Sequence, residues 1–509
     1  MRKHVDQIEQ KNASMTIFFA LVLLLLESLF FSMLETARIY EMRIHSRMLL
    51  QETMESACSD YVTFLWENYH ILGIDSGYGM AEEAPDLFCE RLETLAWENI
   101  YTMEGDRETS FFSLSPSGID VTECGYLTDQ SGEAFRRQAI KLAKEELTGS
   151  AAEQLWNKIM QIQEKQEKDY DRDSCVENGR HAMEKGRSAE TEKEDQTGEK
   201  TSSEHEEKEP IAVSEENNPF FVFSQLGKNG LLHVVTGDGA VSEKACDFSR
   251  TVSRRKQNQG NAFPDIEREE SSLLDPVFYL WYLETYFGSY IRPKEFGGLS
   301  YELEYIIAGK ESDRENLEAI VERLIAMREP ENLITIFSTP SMMEEAYGVA
   351  LFLAGVSANP AIISLVQIAV IAVWAFVESI IDVRMLLHQE KVPFLKTVQE
   401  WRTDLRNLSL ALAGDCKRSE TDSGLTYSDY LSALLFLQKE GKQKLRPLDL
   451  METAARQQPE TQGLCLDAVI CRFSVSAEYQ GEPLFFSYMG MGLPNMKLYT
   501  CEVNGSMAY

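Results

Sequence analysis

The polar and apolar positions of the chain set out its first element at once. Met15 to Leu34 reads MTIFFALVLLLLESLFFSML, 20 residues with one charge, Glu27, and three other polar side chains, Thr16, Ser28 and Ser32. At about 1.5 Å rise per residue such a helix covers roughly 30 Å, the thickness of a bilayer's hydrocarbon core. Beyond it the helical period persists: Ala37, Tyr40, Ile44 and Met48 recur three or four apart, and so do Met54, Cys58, Tyr61 and Leu65. No Gly or Pro occurs from Met1 to Leu72. The pattern therefore predicts one long rod, apolar in its first part, amphipathic in its second, and ended by Gly73. The start is basic (Arg2, Lys3, Lys11), as in a signal peptide. The apolar run is longer than a signal peptide's usual 7–15 residues, and ETARIYEMR after it offers no small-x-small cleavage site. The reading is an uncleaved transmembrane anchor over 15–34, with a cytoplasmic tail over 1–14 and the bulk of the chain outside.

The pattern then divides the rest. Over 35–169, the membrane-proximal region, a helix is expected from Asp86 to about Thr102. Ser110 to Tyr126 reads as a hairpin about a Pro-Ser-Gly turn at 116–118. A further helix runs from about Gly132 to Lys168, with a break at Gly149–Ser150. Between Tyr170 and Phe220 there is no Phe, Trp, Tyr or Leu. That stretch cannot bury enough apolar surface to offset ordering, so 170–217 is predicted to be an acidic, disordered linker. The main domain, 218–509, is rich in helix signals. Gly309 closes a helix carrying Leu303, Ile306 and Ile307. Ser312 and Glu315 form a capping box ahead of Leu317, Ile320, Val321 and Leu324. Asn359-Pro360 opens a helix running to about His388, and another runs from Gly424 to about Lys439. Strands are expected at Ala468–Tyr479 and Pro483–Tyr488. Ala361 to Val377 is at the lower limit for a second span, but its small residues and its Trp374, Glu378, Asp382 face suit a helix buried in a helical domain.

Charge narrows the function. The 509 residues carry 49 basic and 82 acidic side chains, a net charge of −33. That disfavours nucleic acid and anionic lipid headgroups, both of which would repel the chain. Nine cysteines are scattered without a C-x-x-C or zinc spacing. Mostly free thiols are expected, with Cys465, Cys471 and Cys501 the pairs to test. No HExxH, G-x-S-x-G, P-loop or G-x-G-x-x-G is present. No cofactor, metal or small-molecule substrate is inferred.

The candidate residues are acids. Glu27 stands in mid-membrane, where an ionisable group marks a contact in an assembly or a protonated side chain tolerated in lipid. With Glu35 and Arg38 it makes up the candidate assembly contacts. Glu302 and Glu304 lie near Asp313 in sequence, and Glu378 and Asp382 are one helical turn apart. Paired carboxylates can hold a metal or perform acid–base chemistry. With Lys310, Arg314, Arg323 and Arg384 nearby, the reading is structural ion pairs within a helical bundle.

Two resemblances follow from these residues. NASMTIFFALVLLLLESLFFSMLETARI resembles the start of Tad-type (tight-adherence) minor pseudopilins. Where that group carries a Glu near the start of the apolar run this chain has Phe18, a departure at the position tied to prepilin-type processing. The chain also resembles an uncharacterised family of membrane-anchored proteins of Gram-positive bacteria associated with Tad-like pilus loci. The blocks that carry this are LETARI (34–39), LWENYHILGID (65–75), LSYELEYIIAGKESDRENL (299–317), WAFVESIIDVRMLL (374–387) and GLTYSDYL (424–431). The resemblance implies a location and a genetic neighbourhood, with no activity attached. The expectation is thus an α+β, mostly α-helical protein with small β-hairpin elements and C-terminal strands. It would be a non-enzymatic structural or assembly component of a Tad-like pilus or secretion apparatus, partnered by the membrane and other apparatus proteins. The alternative is a membrane-tethered, carboxylate-dependent envelope hydrolase.

Overall fold

A computed structural model describes residues 2–80, 85–104, 114–169, 210–237, 239–262, 272–354, 359–414, 424–485 and 498–509, with side chains from residue 15 onward except at 85, 102–104, 163–169, 228–229 and 440. The protein is α+β and mostly helical, with one small antiparallel sheet. Of the expected linker, 170–209 lie outside the described residues, as do 110–113 of the expected hairpin and 486–488 of the last expected strand. The chain forms two units that interleave in sequence. One holds Met1–Gln138, Lys256–Glu269 and Ala455–Tyr509; the other holds Ala139–Arg255 and Glu270–Ala454.

The first unit is built on helix α1, Arg2–Cys58. Its apolar segment is exposed, with Phe18, Leu21, Leu25 and Met33 all on the surface. By length and composition it is able to cross a membrane. Past Leu34 the helix acquires a buried face of Met42, Leu49, Leu50, Met54 and Ala57. The stripe the period suggested, Ala37, Tyr40, Ile44 and Met48, faces outward instead. Two apolar stripes run along this helix, and periodicity cannot tell which one the fold will cover.

The rod is also shorter than expected. It stops at Cys58, whose carbonyl accepts the Tyr509 hydroxyl at 2.5 Å. Tyr61 then bridges to Ile74, and the Val62 amide bonds the Gly73 carbonyl at 2.9 Å. Tertiary partners take up the backbone groups that another helical turn would have satisfied. A short helix, α2 (Thr63–Tyr69), follows. Gly73 is required where it stands, because a Cβ there would lie 2.4 Å from Val469 Cγ1.

The sheet consists of β1 (Ile74–Asp75), β2 (Ser115–Tyr126), β3 (Val469–Gly481) and β4 (Tyr499–Ala508), with helix α3 (Pro85–Glu104) between β1 and β2. β3 is central and antiparallel to the other three. β2 covers one edge, and β4 with the short β1 takes the other. The hairpin expected at 110–126 is replaced by one strand with a bulge at Pro116–Gly118, paired to residues more than 340 positions away. Likewise β3 pairs with β4 and not with residues just after its turn. A local turn signal gives no information on which distant strand offers the better ladder. Phe88 of α3 meets Phe473 of β3 edge-on at 5.2 Å, in a core shared with Leu92, Val475 and Tyr479.

The second unit is helical. After α4 (Asp129–Glu146), which begins in the first unit, come α5 (Gly149–Asp169), α6 (Pro219–Asn229), α7 (Leu231–Thr236) and α8 (Asp275–Tyr286). Then follow α9 (Glu302–Ala308), α10 (Asp313–Ser338), α11 (Pro340–Ala354) and α12 (Pro360–Leu387). Last are α13 (Leu408–Leu412), α14 (Tyr427–Phe436) and α15 (Glu440–Ala455). The local signals act as read. Gly309 is left-handed, with φ 72°. Asn359 accepts the Ala361 amide at 3.0 Å, and Pro360 occupies the first turn. Ser312 accepts the Glu315 amide at 3.3 Å. A reciprocal capping box of Thr426 and Asp429, not singled out in the sequence, opens α14. α10 packs on α12, with Leu317, Ile320, Val321 and Leu324 inside as expected. Helix α12 is partly buried: its apolar window is 44 % covered. Residues 210–217 belong to this unit, where Ile211 bonds the Gly348 carbonyl at 3.0 Å and Asn217 accepts the Ser409 amide at 3.0 Å. The units therefore do not follow a cut at 217, because the C-terminal strands complete a sheet begun before residue 126.

Candidate functional site

The second unit holds two clusters of buried carboxylates, built from the acids the sequence singled out. The first surrounds the non-helical segment 287–301. Glu302 accepts the Gly288 amide at 2.9 Å and pairs with Lys294 at 3.3 Å. Glu304 accepts the Tyr290 amide at 2.9 Å and the Tyr427 hydroxyl at 2.8 Å. Asp313, in the first turn of α10, accepts the amides of Ser300 and Tyr301 and, at 2.6 Å, the Ser242 hydroxyl. A segment without regular structure leaves buried N–H groups to satisfy. Three carboxylates meet four of them.

Burial in this cluster sets the proton affinities. It pushes Glu302 up to about 7, against the opposing Lys294 charge and Gly288 amide. It pushes Glu304 up to about 7 as well, against its Tyr290 and Tyr427 hydrogen bonds. Lys294 is lowered by the same loss of water. A third acid, Glu284 on α8, hydrogen-bonded to Ser432, is also raised by burial to about 7.

The second cluster joins α10 to α12. Arg328 bonds Asp382 at 3.0 Å, pairs with Glu331, and donates to the Phe394 carbonyl at 2.8 Å and the Tyr430 hydroxyl at 3.2 Å. Lys396, on the connection after α12, lies against both Glu378 and Asp382. Glu378 also accepts the amides of Arg402 at 3.1 Å and Thr403 at 2.9 Å, and Trp374 Nε1 donates to Thr403 Oγ1 at 2.8 Å. Asn332 ties Ser379 to Asp382 at 2.9 and 3.1 Å. Burial alone would push the Asp382 carboxyl up, but the charges of Lys396 and Arg328 outweigh it and hold Asp382 below the usual range.

The partners differ from those expected. The acids meet Lys294, Arg328 and Lys396, none of which stood out in the sequence. Arg328 and Glu331 are spaced i, i+3 on one helix, which was a legible signal; Lys294 and Lys396 carry none. Of the nearby cations, Arg314 pairs with exposed Glu243 at 3.8 Å, and Arg323 donates to the Ile307 carbonyl at 3.3 Å. Arg384 donates to the carbonyls of Val234, Ala411 and Leu412, closing the ends of two short helices.

The first unit places the other candidates. Glu27 is exposed on the apolar segment. Glu35 and Arg38, expected as contacts to other subunits, are turned inward, at 1 % and 2 % exposure. They pair at 3.3 Å. Glu35 accepts the amides of Leu484 at 3.3 Å and Phe485 at 2.9 Å, and Arg38 donates to the Glu482 carbonyl at 2.6 Å. Phe485 stacks on Phe31 at 5.9 Å. The segment 482–485 is thus clasped to α1 where the apolar run ends.

Chemically, these arrangements hold backbone and cations. Glu302, Glu304, Asp313, Glu378 and Asp382 are each at most 1 % exposed. Among the described residues no group of three His, Cys, Asp or Glu could hold a metal. Cys465, Cys471 and Cys501 are all unbridged.

The fold and its buried clusters thus define an α+β, mostly helical protein with an apolar N-terminal helix able to serve as a membrane anchor or a signal sequence. Residues 209–481 match a family of unknown function, DUF5702, and the chain belongs to that family. The match takes in both carboxylate clusters and leaves out α1. No curated protein and no solved structure matches the chain.

Proposed function

We propose that this protein is a membrane-anchored structural or assembly component of a bacterial cell-envelope apparatus. In this reading residues 15–34 are retained as a single span and the bulk of the chain stands outside the membrane. A Tad-like pilus or secretion machine is the apparatus its sequence resemblance favours. The observation that carries the reading is the two-sidedness of α1 beyond Leu34. One side packs into the core through Met42, Leu49 and Leu50, while Tyr40, Ile44 and Met48 stay on the surface, Tyr40 at 66 % exposure. Large apolar side chains left in a row on a helix mark an interaction face. This one continues directly from the membrane segment, where a neighbour's helix would already be aligned. The buried acids fit the same reading, since they fix loops and helices in place.

The test is crosslinking in native membranes, with a photoreactive residue at Tyr40 or Ile44 and a control at exposed Glu41. Adducts to other envelope proteins or to a second copy, strong at the first two positions and weak at the control, are expected. The expected protein also resists carbonate extraction and keeps residues 1–34. A monomer without adducts, or a mature chain cleaved before Glu35, overturns the reading.

A further inference from the structure

The sheet of the first unit has two long outer strands, β2 and β4, and their edges differ. An open strand edge is a template for pairing, and natural sheets block it with Pro, Lys, bulges or a covering segment. β2 is blocked in this way. It carries Pro116 and breaks in its register with β3. The amides of Asn261 and Ala262 donate to the Cys124 carbonyl at 2.9 and 3.2 Å, and Asn261 Nδ2 donates to the Thr122 carbonyl at 3.2 Å. β4 has none of these devices. Its sequence, YTCEVNGSMA, holds no Pro, Lys or Arg and keeps an unbroken register with β3. Tyr509 continues that register, its amide donating to the Cys471 carbonyl at 3.2 Å. Bonded pairs alternate in an antiparallel ladder, so the backbone groups of Tyr499, Cys501, Val503, Gly505 and Met507 face β3. Those of Thr500, Glu502, Asn504, Ser506 and Ala508 point away from it, and among the described residues they have no partner.

Both faces of the strand say what would pair there. On the outer face Glu502 stands directly opposite Glu478 of β3, and both are exposed. They occupy a non-hydrogen-bonded position, where opposed side chains come closest. Like charges so placed destabilise a sheet, and among the described residues neither carboxylate has a cation paired with it. On the α1 side, Tyr499, Met507 and Tyr509 pack on the core but stay partly uncovered.

We propose that the free edge of β4 is a docking site for an extended segment of another protein, which joins the sheet as a further strand. The segment alternates Lys or Arg, set beside Glu502 and Glu478, with apolar side chains that finish covering Tyr499 and Met507. Backbone bonds give such pairing its affinity, and alternate side chains give it specificity. A basic segment also suits a chain of net charge −33. A second copy of β4 is the poorer fit, because it brings Glu502 again and no cation. The site needs neither the α1 face nor the anchor.

The experiment uses the full chain in detergent and a synthetic peptide, as long as β4, in which valine alternates with lysine and threonine. Controls are the same peptide with glutamate for lysine, and the variants N504P and E502K. Proline at 504 removes an outward N–H and leaves the β3 ladder intact. Hydrogen exchange is read residue by residue. In the chain alone the outward amides of β4 should exchange far faster than the inward ones. The lysine peptide at about 1 mM should slow the outward set. The glutamate peptide should bind about fivefold more weakly. N504P should lose about tenfold in affinity for the lysine peptide, and E502K about fivefold. Unchanged melting temperatures verify that the variants fold; if N504P does not, E502K decides. Outward amides already slow in the monomer show that the chain covers its own edge and overturn the proposal. Protection that grows with protein concentration, without peptide, assigns the edge to a second copy and also overturns it. So does equal affinity for the two peptides, binding untouched by the variants, or no binding at about 1 mM.

Discussion

Glu304 and Tyr427 share a hydrogen bond of 2.8 Å between the α9 carboxylate and the α14 phenol, both side chains fully buried. The carboxylate also accepts backbone amides, that of Tyr290 at 2.9 Å and its own. None of these donors brings a charge, so the site stabilises an ionised Glu304 poorly, and burial lifts it to about 7. Burial raises Tyr427 too, with the neighbouring Glu304 charge adding to it. The pair is therefore most comfortable with the acid protonated.

A pH dependence follows. Glu304 titrates at 4.5 when unfolded and near 7 when folded, so folding favours its protonated form. That stability is fully present below about pH 4.5 and is lost as pH rises through about 7. For a shift of this size the loss is on the order of 3 kcal/mol. Glu302 and Glu284 act in the same direction. Urea midpoints of the full chain in detergent should fall between pH 5 and pH 8. E304Q, which mimics the protonated acid, should flatten that fall and be at least as stable as the parent at pH 8. A variant weaker than the parent at pH 8 would sink this account of the site.

The Lys396 ammonium behaves oppositely, because Glu378 and Asp382 need it. Removing one partner of a buried ion pair costs about 3–5 kcal/mol, since the other is left charged in the interior. At roughly 2–4 °C per kcal/mol for a unit of this size, K396M should lower the melting temperature by about 10 °C. Adding E378Q should recover part of the loss, because only one stranded carboxylate then remains and Arg328 still serves it. Additive losses in the double variant would show that the three groups are not coupled.

At the end of the apolar run, Glu35 holds the amides of Leu484 and Phe485. E35A should release them. Hydrogen exchange at 482–485 should rise by an order of magnitude or more, the loss of two charge-assisted bonds worth about 1.5–3 kcal/mol each. Exchange in β2 and β3 should remain as in the parent. If 482–485 stays protected, the clasp is held by Phe31 and Phe485 packing and not by the carboxylate.

How much of this the sequence disclosed depends on the range of each interaction. The apolar run at 15–34, the Asn359-Pro360 start, the Gly309 stop and the Ser312 cap are decided by neighbours in sequence, and all were legible. The α+β, mostly helical class follows from such local signals. The acids of both clusters were legible as charges in apolar surroundings. Their partners were not: Lys294, Arg328 and Lys396 reach them through the fold, and the acids' spacing says nothing about those. The α1 buried face was ambiguous because two apolar stripes share that helix. The strand pairing was out of reach, since β3 finds β2 across most of the chain.

That pairing leads to the last prediction. A cut between the membrane-proximal and main regions would, in a chain of sequential domains, free the C-terminal part. Here β2, with α1 and α3, lies before the cut, whereas β3 and β4 lie after it, and all belong to one unit. The same is true of the second unit, where Lys158 of α5 pairs with Asp429 at 3.0 Å. A protease site introduced within 185–195 should therefore yield two pieces that stay together. They should co-elute in size exclusion in detergent and melt in one transition near that of the intact chain. In urea they should separate, and after dilution their recombination should become second order in concentration. Loop closure over a long connection is cheap, so the nick itself should cost only a few kcal/mol at working concentrations. Pieces that part without denaturant would show that the β2–β3 ladder and the α1 core do not hold the first unit together.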